Sequence, residues 1–389
     1  MSVDIEQAKK DFEQRFGRPA QVAGRAPGRV NIIGEHTDYN HGFVLPMAID
    51  RDTLVLSAVR DDSILSVFAA DLDQRAEINL KRLARSEDHP WLDYISGVAL
   101  MLQETGRSLS GADILVVGDV PLGCGLSSSA SLEMAVLCLF EATGDFTLPD
   151  RVAAQLCQRV ENYYLGLSSG IMDPFISRAG KLGHALFVDC RTLEHQPIPA
   201  NLGKALFVIA DTGVRRELTA SKYNERVAEC QHAVAGLNGA LNTSGTHLRD
   251  FTLVELDEAK DTLGDVEFRR ARHVISENER TSKACGALRD GNLVELGELM
   301  NASDVSLVAD YEVSCNELRI MTDIARSLEG CYGARMTGAG FGGCTINLVA
   351  RECVDAFCVL LREAYDEQSG IESEIIVSSA ATGACSTTL

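Results

Sequence analysis

The chain has 389 residues, with 36 Lys and Arg against 56 Asp and Glu and a formal net charge of -20 at pH 7. That charge disfavours nucleic acid and anionic membrane surfaces as partners, and an apolar fraction of 46% excludes a disordered chain. The length exceeds what one hydrophobic core usually serves, so two domains with a cleft between them are expected.

The N-terminal segment reads as an amphipathic helix over 4–16 that stops at Gly17, with no apolar signal region. Extended segments follow at 20–24, 29–34, 43–49, 52–59 and 64–69, rich in Val, Ile, Leu and Phe. A helix over 92–105 starts after Trp91, strand 113–118 leads through a loop into helix 128–142, and helix 149–165 ends at Gly166. Strands at 184–189 and 205–210 bracket a boundary near Pro197, Pro199 and Gly203, which divides the chain into 1–198 and 199–389. The second half reads as helices over 216–236, 252–261, 266–289, 292–301 and 311–328, then strand 344–349, helix 352–366 and strand 373–379. A strand-rich half followed by a helix-rich half suits an α+β fold better than a regular βαβα sheet.

Twelve cysteines are spread through the chain without a C-x-x-C pair, and most lie in apolar runs. They read as reduced core cysteines of a cytoplasmic protein, and no pair has the spacing of a zinc site. No run of about 18 apolar residues is present, so no membrane span is expected.

Three segments carry chemistry. Gly24 to Asn40 packs Arg25, Arg29, Asn31, Glu35, His36, Asp38 and Asn40 around one short apolar run. Carboxylates and amides hold hydroxyls in fixed directions, which suits a polyol. An arginine beside them suits a developing negative charge. Pro121 to Ala130 joins a strand to a helix through Gly123, Gly125, Ser127, Ser128 and Ser129. The glycines admit close approach, and the helix start supplies free N–H groups, so an acidic protein can hold a phosphate there. No Walker lysine is present. Asp173 stands between Met172 and Pro174-Phe175, an apolar setting that calls for a cation partner or a proton. It is read as a base beside a hydroxyl, as the cap of a helix running on from Pro174, or as both. Glu161, in the last turns of its helix, offers the single carboxylate that a hard metal ion bound mainly by water and phosphate would need.

Two further matches mislead. Gly338-Ala339-Gly340-Phe341-Gly342-Gly343 fits G-x-G-x-x-G but precedes a strand, so it reads as a turn that brings backbone close to a neighbour. Gly166-Leu167-Ser168-Ser169-Gly170 fits G-x-S-x-G but follows a helix, which argues against a nucleophile elbow.

In this order the segments at 28–39, 121–130 and 335–343 resemble the three motifs of the GHMP kinases, and the first resembles the sugar signature of their galactose-phosphorylating branch. Val188 to Arg191 and Ser221 to Asn224 add to the likeness, which runs from about residue 7 to the C-terminus. The resemblance implies ATP-dependent, Mg2+-assisted phosphorylation of galactose at its C1 hydroxyl by a monomer. It implies a fold with an N-terminal domain like ribosomal protein S5 domain 2 and a ferredoxin-like C-terminal domain. Asp173 is then the base and Arg29 the residue that keeps it ionised. Glu35, His36, Thr37, Asp38 and Tyr223 are the sugar contacts. Gly123, Cys124, Gly125, Leu126, Ser127, Ser128 and Ser129 form the phosphate loop, and Ser129 and Glu161 are the metal ligands. Three positions depart from the pattern: Pro174 stands where Gln is usual, and Ser168-Ser169 where Cys or Asn is common. They flank the sugar side, so the reaction type is implied more firmly than the sugar. A kinase for an amino sugar, a uronic acid or arabinose, and a galactose sensor without turnover, remain as alternatives.

Overall fold

The computed structural model describes residues 3–200, 202–215 and 219–389. Helix α1 (Ile5–Phe16) is capped by the Asp4 carboxylate, which accepts from the backbone N–H groups of Glu6 and Gln7, and it ends at Gly17 in the left-handed conformation. The chain then builds β1 (Val22–Asn31), β2 (Phe43–Val44), β3 (Pro46–Val59), β4 (Ile64–Ala69), β5 (Gln74–Asn79), α2 (Leu92–Glu104), β6 (Ala112–Gly118) and α3 (Ser128–Thr143). It continues with α4 (Asp150–Arg159), a π-helical turn over Val160–Leu165, α5 (Met172–Ala179), β7 (His184–Asp189) and β8 (His195–Pro199). The remainder is β9 (Ala205–Asp211), α6 (Thr219–Leu241), α7 (Leu253–Glu258), α8 (Asp265–Asp290), α9 (Leu293–Ala309), α10 (Asn316–Ser327), β10 (Cys331–Met336), β11 (Cys344–Ala350), α11 (Val354–Ser369), β12 (Glu374–Ser378) and β13 (Cys385–Thr388).

The first sheet runs β13-β1-β3-β6-β4-β5. Its two faces follow from the period-two alternation of β3. Val55 packs with Ile95 and Val98 of α2 and Met134 and Phe140 of α3. Leu54 and Leu56 pack on the other side with Phe12 of α1. The second sheet, β10-β11-β9-β12, is antiparallel throughout. With α10 and α11 it forms the strand–helix–strand–strand–helix–strand pattern of a ferredoxin-like unit, α6 to α9 being inserted after β9. A small sheet, β2-β7-β8, lies between. One apolar cluster joins the halves: Val30, Ile32, Leu45 and Met47 pack with Phe207, Ile346, Leu296 and Met300. Beside this shared core the functional residues of both halves meet.

Several expectations change. The segments 20–24 and 29–34 are one strand, β1, and 43–49 and 52–59 are chiefly the long β3. The proline pair at Pro197 and Pro199 lies in β8, an edge strand, where a missing N–H is tolerated. The helix expected at 311–328 starts only at Asn316, because Tyr311 and Val313 are core residues of the turn that closes α9, where Glu312 is left-handed and the Val313 carbonyl accepts from the Phe341 N–H. Residues 216–218 of the expected helix 216–236 fall outside the described residues. β5, β10 and β13 add to the reading, and β13 returns to the first sheet beside β1. Among the described residues no helix is long and apolar enough to cross a membrane.

The seat of α3 on the first sheet is set by one small residue. A Cβ on Gly24 of β1 would lie 2.2 Å from the Ala135 carbonyl oxygen of α3. Gly24→Ala must therefore push α3 off the sheet, an overpacking cost of about 1–3 kcal/mol. A lower urea midpoint is expected, and an unchanged midpoint would show that α3 is not held there.

Candidate active site

The register of β1 against β3 shifts between Pro27 and Arg29. The bulge falls at Gly28, where a Cβ would lie 2.8 Å from the Leu126 carbonyl oxygen, and the next N–H, of Arg29, donates to that oxygen at 3.0 Å. β1 is thereby fastened to the phosphate loop, and Arg29 is turned into the cleft, as bulges near active sites commonly do.

Arg29 meets Asp173 in a two-point contact, Nε to Oδ1 at 2.7 Å and Nη2 to Oδ2 at 2.7 Å, while Nη1 donates to the Gly125 carbonyl at 2.6 Å. The Ser127 hydroxyl adds a third hydrogen bond to Asp173, at 2.5 Å. Ser127 reaches it because its backbone is left-handed at the start of α3. Burial weighs against the Arg29 charge, but Asp173 outweighs it and raises the guanidinium pKa above its ordinary value. The Asp173 side chain is 31% exposed and faces the cavity, where a carboxylate oxygen keeps room for one more donor. Helix α5 begins at Met172 with Ile171 as its cap, so Asp173 is not the cap the sequence suggested. Pro174 sits in the first turn, where its missing N–H costs nothing.

A cavity of about 360 Å3 opens in front of this pair, and Glu35, His36, Asp38, Ser129, Glu161, Asp173 and Tyr223 all line it. Glu35 is buried against Arg335 of β10 at 3.2 Å, takes the Gly338 N–H at 2.6 Å, and also bonds Asn31. Burial pushes its pKa up, and Arg335 pulls it back. His36 sits at φ 63, contacts the Tyr39 hydroxyl through Nδ1 at 2.9 Å, and is surrounded by the rings of Tyr39, Tyr223 and Tyr311. Burial, then the nearby His273, holds it well below the imidazole range, so it is neutral at pH 7. Asp38 accepts from the N–H groups of Tyr39 and Met172, and a Cβ on Gly170 would lie 1.7 Å from its Oδ2. Only glycine at 170 leaves Asp38 its place.

Also lining the cavity, Ser129 Oγ lies 3.3 Å from Glu161 Oε1. Glu161 belongs to the π-helical turn after α4 and is buried, and burial pushes its carboxyl up to about 7. A hydroxyl and a buried carboxylate that gains by a cation are a hard oxygen donor set, suited to Mg2+.

Not every expected residue faces the cavity. Thr37 is fully buried and spends its hydroxyl on the carbonyls of Gly34 and Phe43, so it holds the turn rather than a sugar. The side chains of Cys124 and Leu126 lie in the apolar core shared by the two halves, which leaves only their backbone for a phosphate. Gly123, Gly125 and Ser128 stay in the loop beside the cavity rather than among its lining residues. The Gly-rich turn at 338–343 does bring backbone close: a Cβ on Gly338 would lie 2.9 Å from the Gly125 carbonyl oxygen.

Four residues of the site carried no assignment from sequence: Tyr94, Asn224, Arg335 and Glu133. Tyr94 and Asn224 line the cavity, and the Asn224 amide oxygen accepts from the Ser168 N–H at 3.1 Å. Glu133 is fully buried on α3, one turn after Ser129, with neither carboxyl oxygen hydrogen-bonded. Burial, then Glu161 and Asp173, raises its pKa well above the carboxylate range, so it carries a proton. A lone carboxylate inside the apolar run 130–140 was its signal.

The two-domain fold and this cleft define a small-molecule kinase of the GHMP class. Family models for the N-terminal and C-terminal domains of GHMP kinases match residues 93–181 and 284–357, and the galactose-binding signature of galactokinases matches residues 10–59. The chain is 44% identical to a galactokinase of Chloroflexus aurantiacus, over 96% of this chain and 95% of that one. A galactokinase of Streptococcus suis is 40% identical over 98% of both. The chain belongs to the galactokinase family. The crystal structure of Lactococcus lactis galactokinase complexed with galactose superposes with a TM-score of 0.93 at 37% identity, covering 99% of this chain and all of that one. Methanococcus jannaschii mevalonate kinase shares the fold, with a TM-score of 0.67 at 18% identity.

The Asp38 carboxyl ionises at about 6 in the folded protein, against about 3.8 unperturbed, because it is buried and then because Asp173 is near. Between these values the folded state keeps a proton that the unfolded chain has lost, so stability falls as pH rises through the window and stays lower above it. Asp38→Asn is therefore expected to raise the Tm at pH 7.5, with the gain vanishing below about pH 4. Equal Tm gains at both pH values would show that Asp38 does not titrate this way.

Proposed function

We propose that the chain transfers the γ-phosphoryl group of ATP to the C1 hydroxyl of galactose, giving galactose 1-phosphate and ADP. The observation that carries this reading is the Arg29–Asp173 pair. It shares one cavity with sugar-type ligands (Glu35, His36, Asp38, Tyr223) and with a hydroxyl–carboxylate pair (Ser129, Glu161).

Phosphoryl transfer needs little covalent help from a protein and much electrostatic positioning. Asp173 already accepts three hydrogen bonds and has room for one more, so it orients the C1 hydroxyl and accepts its proton as the oxygen attacks. Arg29 holds Asp173 in place through two hydrogen bonds and supplies fixed positive charge beside the transferring group. The free N–H groups at the start of α3 and the loop backbone hold phosphate oxygens. Ser129 and Glu161 would hold Mg2+, which when bound neutralises phosphate charge and aligns the β and γ groups. The neutral imidazole of His36 and the carboxylates of Glu35 and Asp38 offer donors and acceptors on one side of a pyranose.

Asp173→Ala is expected to leave nucleotide binding nearly intact and to cut kcat by about 10²–10⁴. Near-normal turnover would leave Asp173 a structural partner of Arg29. Glu161→Gln is expected to raise the Mg2+ concentration needed for half-maximal rate at least tenfold, by the loss of a charged ligand. A change confined to the sugar KM would place Glu161 among the sugar ligands instead. In side-by-side assays of ADP release, galactose is expected to exceed glucose, its C4 epimer, by roughly 10² or more in kcat/KM, because a buried hydrogen-bonding site is left unpaired by an inverted hydroxyl. Glucose equal to galactose would sink the choice of sugar and leave the kinase reading in place.

A further inference from the structure

Three segments distant in sequence meet just behind the phosphate loop. Cys124 lies within the loop, between Gly123 and Gly125. Asp211 ends β9, and Cys344 opens β11 directly after the Gly-rich turn. Asp211 and Cys344 are register partners across the antiparallel β9–β11 pair, so their side chains share one face of the sheet. All three are buried, and the two Sγ atoms and an Asp211 oxygen lie within 4.8 Å of one another. Among the described residues this is the one cluster of three His, Cys, Asp or Glu side chains so closely gathered.

We propose that Cys124, Cys344 and Asp211 form a binding site for a soft divalent cation of the Zn2+ type, tying the phosphate loop to the second sheet. Thiolate sulfur selects such ions over Mg2+. Zinc–sulfur bonds of about 2.3 Å in a tetrahedron set ligand atoms roughly 3.5–3.8 Å apart, a contraction of about 1.3 Å at most from the present spread within 4.8 Å. The step is an exchange without redox: the cation enters, two S–H protons leave, and two metal–sulfur bonds form.

Charge favours the exchange. Arg215 already grips Asp211 at 2.9 and 2.8 Å, and this guanidinium remains to balance the site. Two thiolates, Asp211, Arg215 and a divalent cation sum to zero. Arg215 is also the cover: its side chain is 48% exposed and leans on the loop, its Cδ lying 3.3 Å from where a Cβ on Gly123 would be. The Cys124 thiol donates to the Pro121 carbonyl of its own loop at 3.1 Å, a contact given up when the cation displaces its proton. The three protein ligands leave a fourth position open. Sequence spacing gave no hint of the site because its ligands lie on two strands and a loop far apart in the chain.

The test uses the full chain, reduced with a phosphine and freed of metal, titrated with Co2+. A thiolate-to-cobalt charge-transfer band should saturate at one ion per chain. It should be lost in Cys124→Ala and in Cys344→Ala, weakened in Asp211→Asn, and unchanged in Cys385→Ser, which removes an exposed thiol. If a variant misfolds by circular dichroism, X-ray absorption of the zinc-loaded wild-type chain replaces it, with two sulfur neighbours per zinc expected. A band that survives Cys124→Ala, or a zinc shell without sulfur, overturns the proposal. Filling the site is also expected to slow sugar phosphorylation, reversibly on adding a zinc-selective chelator, and this part rests on the reading of the loop as a nucleotide site. A filled site with undiminished turnover would count against that reading and uphold the metal site.

Discussion

The contact between Arg29 and Asp173 organises the rest of the molecule. It joins β1 to α5, and through the Gly125 carbonyl and the Ser127 hydroxyl it joins both to the phosphate loop. The pair brings little net stability, because burying Arg29 costs desolvation and Asp173, 31% exposed, is partly screened by solvent. Its value lies in position: removing either partner would leave an uncompensated charge in the cleft. The bulge at Gly28, the close seat of α3 on Gly24 and the left-handed Ser127 all have the same effect, which is to bring that arginine, that carboxylate and that loop within hydrogen-bond reach.

The second constraint is charge. A chain of net charge -20 must accept a polyphosphate, and its cavity is lined by Glu35, Asp38, Glu161 and Asp173, with Glu133 buried behind. Like charges so close cannot all be fully ionised in a dry site. The protein separates their roles by environment. Asp173 and Glu35 each have an arginine. Asp38 and Glu161 are pushed up to about 6 and about 7 by burial. Glu133, without a hydrogen-bond partner, stays neutral. A cation at Glu161 and hydroxyls at Asp38 would favour the ionised form of these two groups.

Much of this was legible in the chain. The charged and amide residues packed into 24–40 pointed to one cluster, and the structure gathers Arg29, Glu35, His36 and Asp38 of that stretch around one cavity with Ser129 and Asp173. What local pattern missed was structure whose signal is not apolar. β13 is exposed along its whole length and carries no hydrophobic alternation. β10 contains Gly333, where a Cβ would lie 2.3 Å from the Gly297 carbonyl oxygen, so its glycine marks close packing on α9 rather than a turn. Pro197 and Pro199 read as a boundary because proline breaks central strands, and an edge strand escapes that rule. Thr37 was read by its neighbours in the motif, yet its hydroxyl serves the backbone. Arg335 and Gly170 act only through contacts across the fold, with Glu35 and Asp38, that no spacing in the chain reveals.

If Arg29 and Asp173 act as one unit, their losses should not add. The direct measurement is a double-mutant cycle on kcat/KM for galactose, with Arg29→Ala, Asp173→Ala and the pair. The double variant is expected to be scarcely worse than the poorer single one, as for catalytic groups that work together. Free-energy losses that simply sum would mean that the two side chains act independently, and would contradict that expectation.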